Sequence, residues 1–162
     1  MAIMLGKKIP GIVLKKIRRE SNKNSNEVAL LCSEDSEGFP NASLLSYLDL
    51  AVISPSRVLL AIGEESSTKR NLLRNKKGTI VMWAGMGYGI YYIKGRFNLV
   101  KSRLSTEVEG FRASALICSV QKVSKDYVRV AEIKSTITYE PSVVNESHVM
   151  LFKELKGIAR SL

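Results

Sequence analysis

Histidine, cysteine and long apolar runs are all scarce in this 162-residue sequence. Two cysteines and a single histidine, His148, are too few for a zinc cage of Cys and His ligands, so we expect no metal site. The opening MAIMLGKKIPG has too short an apolar stretch for a secretory signal, and no segment approaches the ~20 apolar residues of a membrane helix. We therefore expect a cytoplasmic protein without a membrane partner, in which Cys32 and Cys118 are buried, reduced thiols.

The sequence also lacks the common catalytic signatures: a phosphate-binding P-loop, a dinucleotide fingerprint and a Ser-His-Asp order. The glycines of GMGYG, 85–89, link two strand patterns, which predicts a hairpin turn. Positive charge, in contrast, is abundant. The 25 Lys and Arg residues exceed the 15 Asp and Glu residues and give a net charge of +10. This surplus attracts nucleic acid, acidic lipid and phosphorylated small molecules alike.

Length and composition predict one globular domain over 1–162, because hydrophobic residues make up 45% and charged residues 25% of the chain. Helical spacing of apolar residues predicts an N-terminal basic helix over 8–20 and a closing helix over 144–160. For the first helix, packing on the protein body with a solvated basic face is favoured over a membrane or nucleic-acid arm. The segment between the helices, 27–140, is expected to form a barrel.

Apolar segments separated by turn signals predict five or six strands, at 28–33, 42–54, 57–63, 79–85, 90–100 and 111–123. Residues 127–140 are ambiguous between a strand and an irregular passage. This spacing favours an antiparallel sheet that curls into a barrel, since closure removes exposed edges. The segments 42–54 and 57–63 are apolar on both faces and need cover from a helix or a second subunit. On that ground we expect a homodimer.

The stretch SSTKRNLLRNKKG, 66–78, predicts a short helix with bases in its first turn. Free N–H groups and a partial positive charge make a helix N-terminus attractive to anions. Lys69 and Arg70 would each be unfavourable there by about 0.3–1 kcal/mol unless an anion is bound. A phosphate reverses that sign through charge-assisted hydrogen bonds. The two interpretations are therefore a phosphate site and a plain solvated helix.

The order of these motifs resembles the pyridoxamine 5′-phosphate oxidase-like FMN-binding split-barrel family. An acidic-Gly-x-Pro turn leads into a strand with small polar residues, and a second strand ends in Gly. A Ser/Thr-x-x-x-Leu helix follows, and then a Lys-Gly-Arg strand; the matching segments are 30–83 and 91–100. The resemblance implies a mainly β (α+β) fold, an antiparallel Greek-key split β-barrel with flanking N-terminal, middle and C-terminal helices. It also implies a homodimer that binds FMN in a groove between the subunits.

Residue by residue, the resemblance implies a strand beside the isoalloxazine ring, a phosphate-binding helix and two residues where the partner subunit closes the groove. These are Ser43, Leu44, Leu45 and Ser46 for the ring; Ser67, Thr68 and Lys69 with Asn71 nearby for the phosphate; and Trp83 and Tyr92 for the closure. Vitamin-forming members of the family carry an Arg and a Lys around the ring strand. This sequence has no base between Asn41 and Arg57, so it resembles the uncharacterised branch of the family instead.

These observations lead to one favoured function and two alternatives. We expect an FMN-binding flavoprotein that acts as an oxidoreductase on an unknown substrate, with a deazaflavin as the alternative cofactor. The catalytic residues are not identifiable. The first alternative is a carrier or sensor of flavin, deazaflavin or haem without turnover, with His148 as the sole histidine available to haem. The second is a basic nucleic-acid-binding barrel. Such barrels interleave aromatic residues with bases on one exposed strand face, and this sequence shows that pattern only weakly, at Tyr92, Lys94 and Arg96.

Overall fold

The computed structural model describes residues 2–22, 26–84, 89–126, 136–140 and 145–162. Three predicted segments lie partly outside these ranges. They are the turn at 85–89, of which residues 85–88 are outside; the ambiguous passage at 127–140, of which residues 127–135 are outside; and the closing helix at 144–160, of which residue 144 is outside, together with residues 141–143 before it. The elements in chain order are β1 (Ile3–Gly6), α1 (Gly11–Asn22), β2 (Val28–Glu34), β3 (Pro40–Ser46), a 3₁₀ turn (Tyr47–Asp49), β4 (Leu50–Ser54), β5 (Arg57–Gly63), α2 (Ser67–Asn75), β6 (Lys77–Ala84), β7 (Gly89–Lys101), β8 (Glu107–Val108), β9 (Phe111–Asp126) and α3 (Glu146–Arg160).

The strands form one antiparallel sheet in the order β3-β2-β6-β7-β9-β5-β4, with β1 and β8 added to β9. Strands β3 and β4 lie at opposite ends of this path, although only the 3₁₀ turn separates them in the chain. The sheet therefore curls until its two ends approach without pairing. This arrangement, with three flanking helices, confirms the predicted antiparallel split barrel.

The predicted single strand over 42–54 is wrong, because the chain turns at its middle. The side-chain oxygen of Ser46 accepts the N–H of Leu48 at 3.2 Å, and the Ser46 N–H donates to Asp49 Oδ2 at 3.1 Å. This reciprocal cap holds the 3₁₀ turn that separates β3 from β4. Tyr47 and Leu48 in the turn are fully buried, so their apolar character made the segment look like one continuous strand.

Helix α1 begins at Gly11 and ends at Asn22, two to three residues later than the predicted 8–20. It packs on the barrel through Val13 and Ile17, as expected, whereas Ile12 is 46% exposed. Lys16 is buried and forms ion pairs with Glu20 and Glu27, at 3.4 and 2.5 Å. The expectation that every base of this helix is solvated is therefore wrong for Lys16.

Helix α3 covers the outer face of strand β5. It begins at Glu146, and its buried residues Leu151 and Leu155 pack in one cluster with Leu59 and Ala61. A helix thus provides the second cover that the doubly apolar β5 requires. The apolar character of this strand is therefore no longer an argument for a dimer.

Both cysteines are free thiols, as predicted. Cys118 is fully buried, and burial raises the pKa of its thiol to about 12. Cys32 is only half-buried, because it points to the outer face of the sheet, and burial also raises its pKa. Within the described residues, no helix is both long and apolar enough to cross a lipid bilayer.

Candidate functional site

A buried polar network joins helix α2 to strands β2 and β3. The side-chain oxygens of Ser43 and Thr68 share a hydrogen bond, and Asn41 Nδ2 donates to Thr68 Oγ1 at 3.3 Å. Asn71 Nδ2 donates to Ser33 Oγ, also at 3.3 Å. The structure thus brings together three residues that the sequence assigned to one site, Ser43, Thr68 and Asn71. Their side chains hold the helix on the sheet.

The N-terminus of α2 is capped by Ser66, whose side-chain oxygen accepts the Lys69 N–H at 3.1 Å. In the part of the chain that the structure describes, the N–H groups of Ser67 and Thr68 have no hydrogen-bond partner. Two free donors at the positive end of a nine-residue helix are an arrangement that binds anions.

The bases of the first turn of α2 fold back over the loop that precedes the helix. Lys69 Nζ donates to the carbonyl oxygen of Glu64 at 2.9 Å, and the Arg70 guanidinium donates to the carbonyl oxygen of Glu65 at 2.6 Å. These carbonyls offset part of the repulsion between the bases and the helix dipole. The Lys69 ammonium retains two N–H donors beyond this bond, so it remains available to an anion.

Two adjoining pockets, of about 410 and 690 Å³, share Gly63, Phe111 and Arg112 in their walls. The smaller one reaches Leu44 and Ser46 on β3, and the larger one reaches the loop and cap before α2 at 64–66. Together they form one groove, called the edge groove below because β3 is an edge strand. It extends from the predicted ring strand to Ser66, the cap residue of α2.

The edge groove is open to solvent, and only part of its wall is apolar. The larger pocket is lined mainly by charged residues, namely Glu64, Glu65, Arg103, Glu107 and Arg112. Two apolar side chains of the groove are exposed. Leu44 is 62% exposed and Phe111 is 77% exposed. Side chains alternate along β3, so that Ser43 and Leu45 point towards the barrel interior while Leu44 and Ser46 line the groove. Leu45 is buried in the core and can reach a groove ligand only through its backbone.

The end of the edge groove away from α2 holds polar groups that sequence reasoning missed or misplaced. Asp49, Tyr139 and His148 line it, and the Tyr139 hydroxyl lies 3.2 Å from Ser46 Oγ. Burial raises the pKa of Asp49 to about 7, against the opposing hydrogen bond from the Ser46 N–H. A carboxyl group with a pKa in this range can both take up and release a proton near neutral pH.

His148 is half-buried and lines this groove. Its Nδ1 lies 2.9 Å from Oδ1 of Asn145, the residue that caps α3, and 3.5 Å from the Asn145 backbone nitrogen, whose N–H points to it. The imidazole ring is therefore held in place through Nδ1. The spacing of three residues from a capping Asn is the one sequence signal that places His148 at the start of α3.

Trp83 and Tyr92 lie elsewhere. They are half-buried on the outer face of the sheet, where Trp83 pairs with Ile90 and Tyr92 pairs with Val81 across β6 and β7. Neither residue lines the edge groove of its own protomer. A contribution from these two aromatic residues therefore requires a second copy of the chain.

Comparison with known proteins shows what the chain is similar to. No known family profile matches it. The uncharacterized protein YclD of Bacillus subtilis is 23% identical over 116 residues, which are 72% of each chain. A Lactobacillus delbrueckii protein provisionally identified as a pyridoxamine 5′-phosphate oxidase superposes with a TM-score of 0.54 at 14% identity, over 74% of this chain and 97% of the other.

A second solved structure comes from Clostridium acetobutylicum, for a protein related to general stress protein 26 of Bacillus subtilis and placed in the pyridoxinephosphate oxidase family. Its TM-score is 0.50 at 14% identity, and the match covers 76% of this chain and 95% of the other. At these identities the likeness is one of fold. The split barrel implied by the sequence resemblance is confirmed.

Proposed function

We propose that this chain, which has the split-barrel fold of pyridoxamine 5′-phosphate oxidase-like proteins, binds FMN in its edge groove. The observation that supports this most strongly is the course of the groove. It leads from Leu44 and Ser46, on the strand assigned to the ring, to Ser66, the residue that caps α2. The free N–H groups of the first turn follow directly after this cap, so a ring and a phosphate could be bound at its two ends.

The phosphate end of the groove offers the donors that a dianion requires. Ser67 and Thr68 supply backbone N–H groups, the exposed Ser67 side chain adds a hydroxyl, and Lys69 supplies an ammonium group. Charge-assisted hydrogen bonds of this kind are about twice as strong as neutral ones. The buried Thr68 hydroxyl is bound to Ser43 and Asn41, so in this proposal Thr68 contributes its backbone.

The ring end of the groove suits a flat, partly polar heterocycle. Leu44 and Phe111 provide apolar walls, and Ser46, Arg112 and Tyr139 provide hydrogen-bonding groups at the edges. The pocket volumes fall within the range of about 300–1,000 Å³ that small-molecule sites usually have. A deazaflavin has the same ring outline and first phosphate and would fit the same surfaces.

We further propose an oxidoreductase role. FMN, when bound, supplies the electron transfer, while the protein supplies binding and orientation. The chain's own contribution beyond binding is the Asp49 carboxyl at the ring end. Burial raises its pKa to about 7, so this group can take up and release a proton near neutral pH. The substrate class is left open by this residue.

A homodimer is proposed because large apolar side chains of the edge groove and of the β2–β3 turn face solvent. Leu44 and Phe111 would be covered by a second subunit, and Phe39 in that turn is also 62% exposed. The partner's copies of the half-buried Trp83 and Tyr92 would then be candidates to close the groove. Cytoplasmic localisation remains a proposal that rests on the sequence.

A haem carrier is the second candidate, supported by the position of His148. The half-buried His148, in a pocket that also contains Leu44 and Phe111, would supply a nitrogen ligand to haem iron. A flavin carrier without turnover would use the same groove as the enzyme. Reduction by a nicotinamide nucleotide followed by reoxidation by an acceptor would distinguish the enzyme from the carrier.

The visible absorption spectrum of the purified full-length protein tests these candidates. After incubation with excess FMN and removal of free ligand, we expect a flavin spectrum for the wild type and for Arg74→Glu. Lys69→Glu should lose it while its melting temperature changes little. A Soret band after incubation with haem, abolished by His148→Ala, would favour haem. Equal FMN retention by Lys69→Glu and wild type would contradict a phosphate site at α2.

A further inference from the structure

The outer face of the barrel holds a separate cavity, which shares no lining residue with the edge groove. Its volume is about 700 Å³, and it lies between the β2–β3 turn, the start of β6, the middle of β7 and Gln121 of β9. Its charged walls are Lys77, Lys94, Arg96 and Glu34. This space is called the basic pocket below.

The three cations of the basic pocket each lie opposite another base across the strands. Lys77 is directly opposite Arg96 in the β6–β7 register. Lys94 is directly opposite Lys122 in the β7–β9 register, although Lys122 does not itself line the pocket. Like charges in directly opposed positions destabilise a sheet. Within the described residues, none of these four bases forms an ion pair or hydrogen bond that would neutralise it.

Two glycines form the backbone floor of the basic pocket. Gly78 and Gly95 are paired directly opposite each other, and both line the pocket. A Cβ on Gly78 would lie 2.6 Å from Leu72 of α2, and one on Gly95 would lie 2.3 Å from Cys118 Sγ. Because glycine has no side chain, Leu72 and Cys118 can pack directly against the backbone at these two positions. This close packing holds the floor of the pocket in place.

We propose that the basic pocket binds a small organic polyphosphate of the nucleoside diphosphate class. The opposed bases supply the charge for at least two phosphate groups, and Thr79 and Gln121 add neutral hydrogen-bonding groups. The Glu34 carboxylate repels a bare anion, but it accepts hydrogen bonds from hydroxyl or amino groups of an organic part. A cavity of this volume fits a molecule of that size, whereas a nucleic-acid strand needs a longer basic track.

Isothermal titration calorimetry of the full-length protein with ADP, and separately with pyrophosphate, measures the two dissociation constants and tests this proposal. We expect ADP to bind with a submillimolar Kd that weakens with salt, and pyrophosphate to bind more weakly. The double variant Lys94→Ala/Arg96→Ala should lose at least tenfold in affinity. The control Lys8→Ala/Lys15→Ala removes the same charge from exposed positions and should change affinity less than twofold.

Three outcomes would overturn the proposal. These are no ADP binding by the wild type, equal losses in the pocket and control variants, or tighter binding of a single-stranded RNA than of ADP at the same site. Lys69→Glu should leave ADP affinity unchanged; a loss there would place ADP in the edge groove instead. Lys94 and Arg96 are exposed, so their substitution should not unfold the protein. The melting temperature of each variant is compared with that of the wild type to verify that the variant is folded. If the double alanine variant is unfolded, Lys94→Gln/Arg96→Gln is used in its place.

Discussion

Ser43 of edge strand β3 and Thr68 of helix α2 share a hydrogen bond between their side-chain oxygens. The strand assigned to the flavin ring and the helix assigned to the phosphate are therefore one connected unit. Asn41, which donates to Thr68, and Asn71, which donates to Ser33, complete the connection. Thr68, Asn71 and Ser33 are buried, so the network holds α2 firmly against the sheet.

Thr68→Val should destabilise the protein, since it keeps the shape of the side chain but removes the hydroxyl that Ser43 and Asn41 contact. Asn41 still donates to Ser33, so the expected loss is that of ordinary hydrogen bonds, about 0.5–1.5 kcal/mol. Urea unfolding followed by circular dichroism measures the change, and Thr68→Ser is the control that restores the hydroxyl. We also expect weaker FMN binding by Thr68→Val, because α2 is no longer held. Unchanged stability of Thr68→Val would show that the network contributes little.

Ser66 allows helix capping and phosphate binding to be separated. Ser66→Ala should cost about 1 kcal/mol of stability through the lost cap. Ser66→Asp keeps the cap and suits the helix dipole, so the protein should stay as stable as the wild type. The added carboxylate nevertheless repels a phosphate, and FMN affinity should fall at least tenfold in an equilibrium titration. Tight FMN binding by Ser66→Asp would place the phosphate elsewhere.

Asp49 should make stability depend on pH. Its pKa rises from about 4 in the unfolded chain to about 7 in the folded protein, so the folded state binds the proton more tightly. Stability should therefore fall as pH rises from about 4 to about 7, by ~2 kcal/mol once solvent access from the groove is allowed for.

Asp49→Asn is the matched variant for this effect, because Asn keeps an oxygen for the Ser46 N–H. Urea unfolding of both proteins at pH 5 and pH 8 gives the difference directly. The wild type should lose more stability than Asp49→Asn between these two values. Parallel pH profiles would mean that Asp49 is charged in the folded protein at pH 5.

The opposed bases of the outer face should cost stability when no anion is bound. Lys94→Gln removes one repulsion with Lys122 and should raise the free energy of unfolding by about 0.2–1 kcal/mol at low salt. Added salt screens the repulsion, so the gain should shrink in 0.5 M sodium chloride. Lys8→Gln, at an exposed position without an opposed base, should show no gain. A gain for both variants would indicate general charge repulsion.

Much of the barrel was predictable from the sequence, because turn residues separate its strands and their apolar runs are long enough to recognise. The 3₁₀ turn was not, since Tyr47 and Leu48 are as apolar as the strands around them and only the Ser46–Asp49 cap reveals the turn. The short β1 was missed because its exposed residues carry no core-facing pattern. Its pairing with distant β9 is decided by tertiary structure.

The candidate site was predictable only in part, and for a physical reason. The resemblance assigned Ser43, Thr68 and Asn71 to one site, and these three residues do meet in one network. The partners of Lys69 and the groove position of His148 depend on contacts between segments far apart in the chain, or on loop conformation. No local pattern encodes such contacts, so they became visible only in the folded structure.

FMN and riboflavin differ by the phosphate alone, so the ratio of their affinities tests the phosphate site most directly. Quenching of flavin fluorescence on titration with the full-length protein gives both dissociation constants. A phosphate bound at Ser67, Thr68 and Lys69 predicts FMN binding at least tenfold tighter than riboflavin, with Lys69→Glu reducing the ratio towards one. Equal affinities of the wild type for the two flavins, or no binding of either, would contradict it.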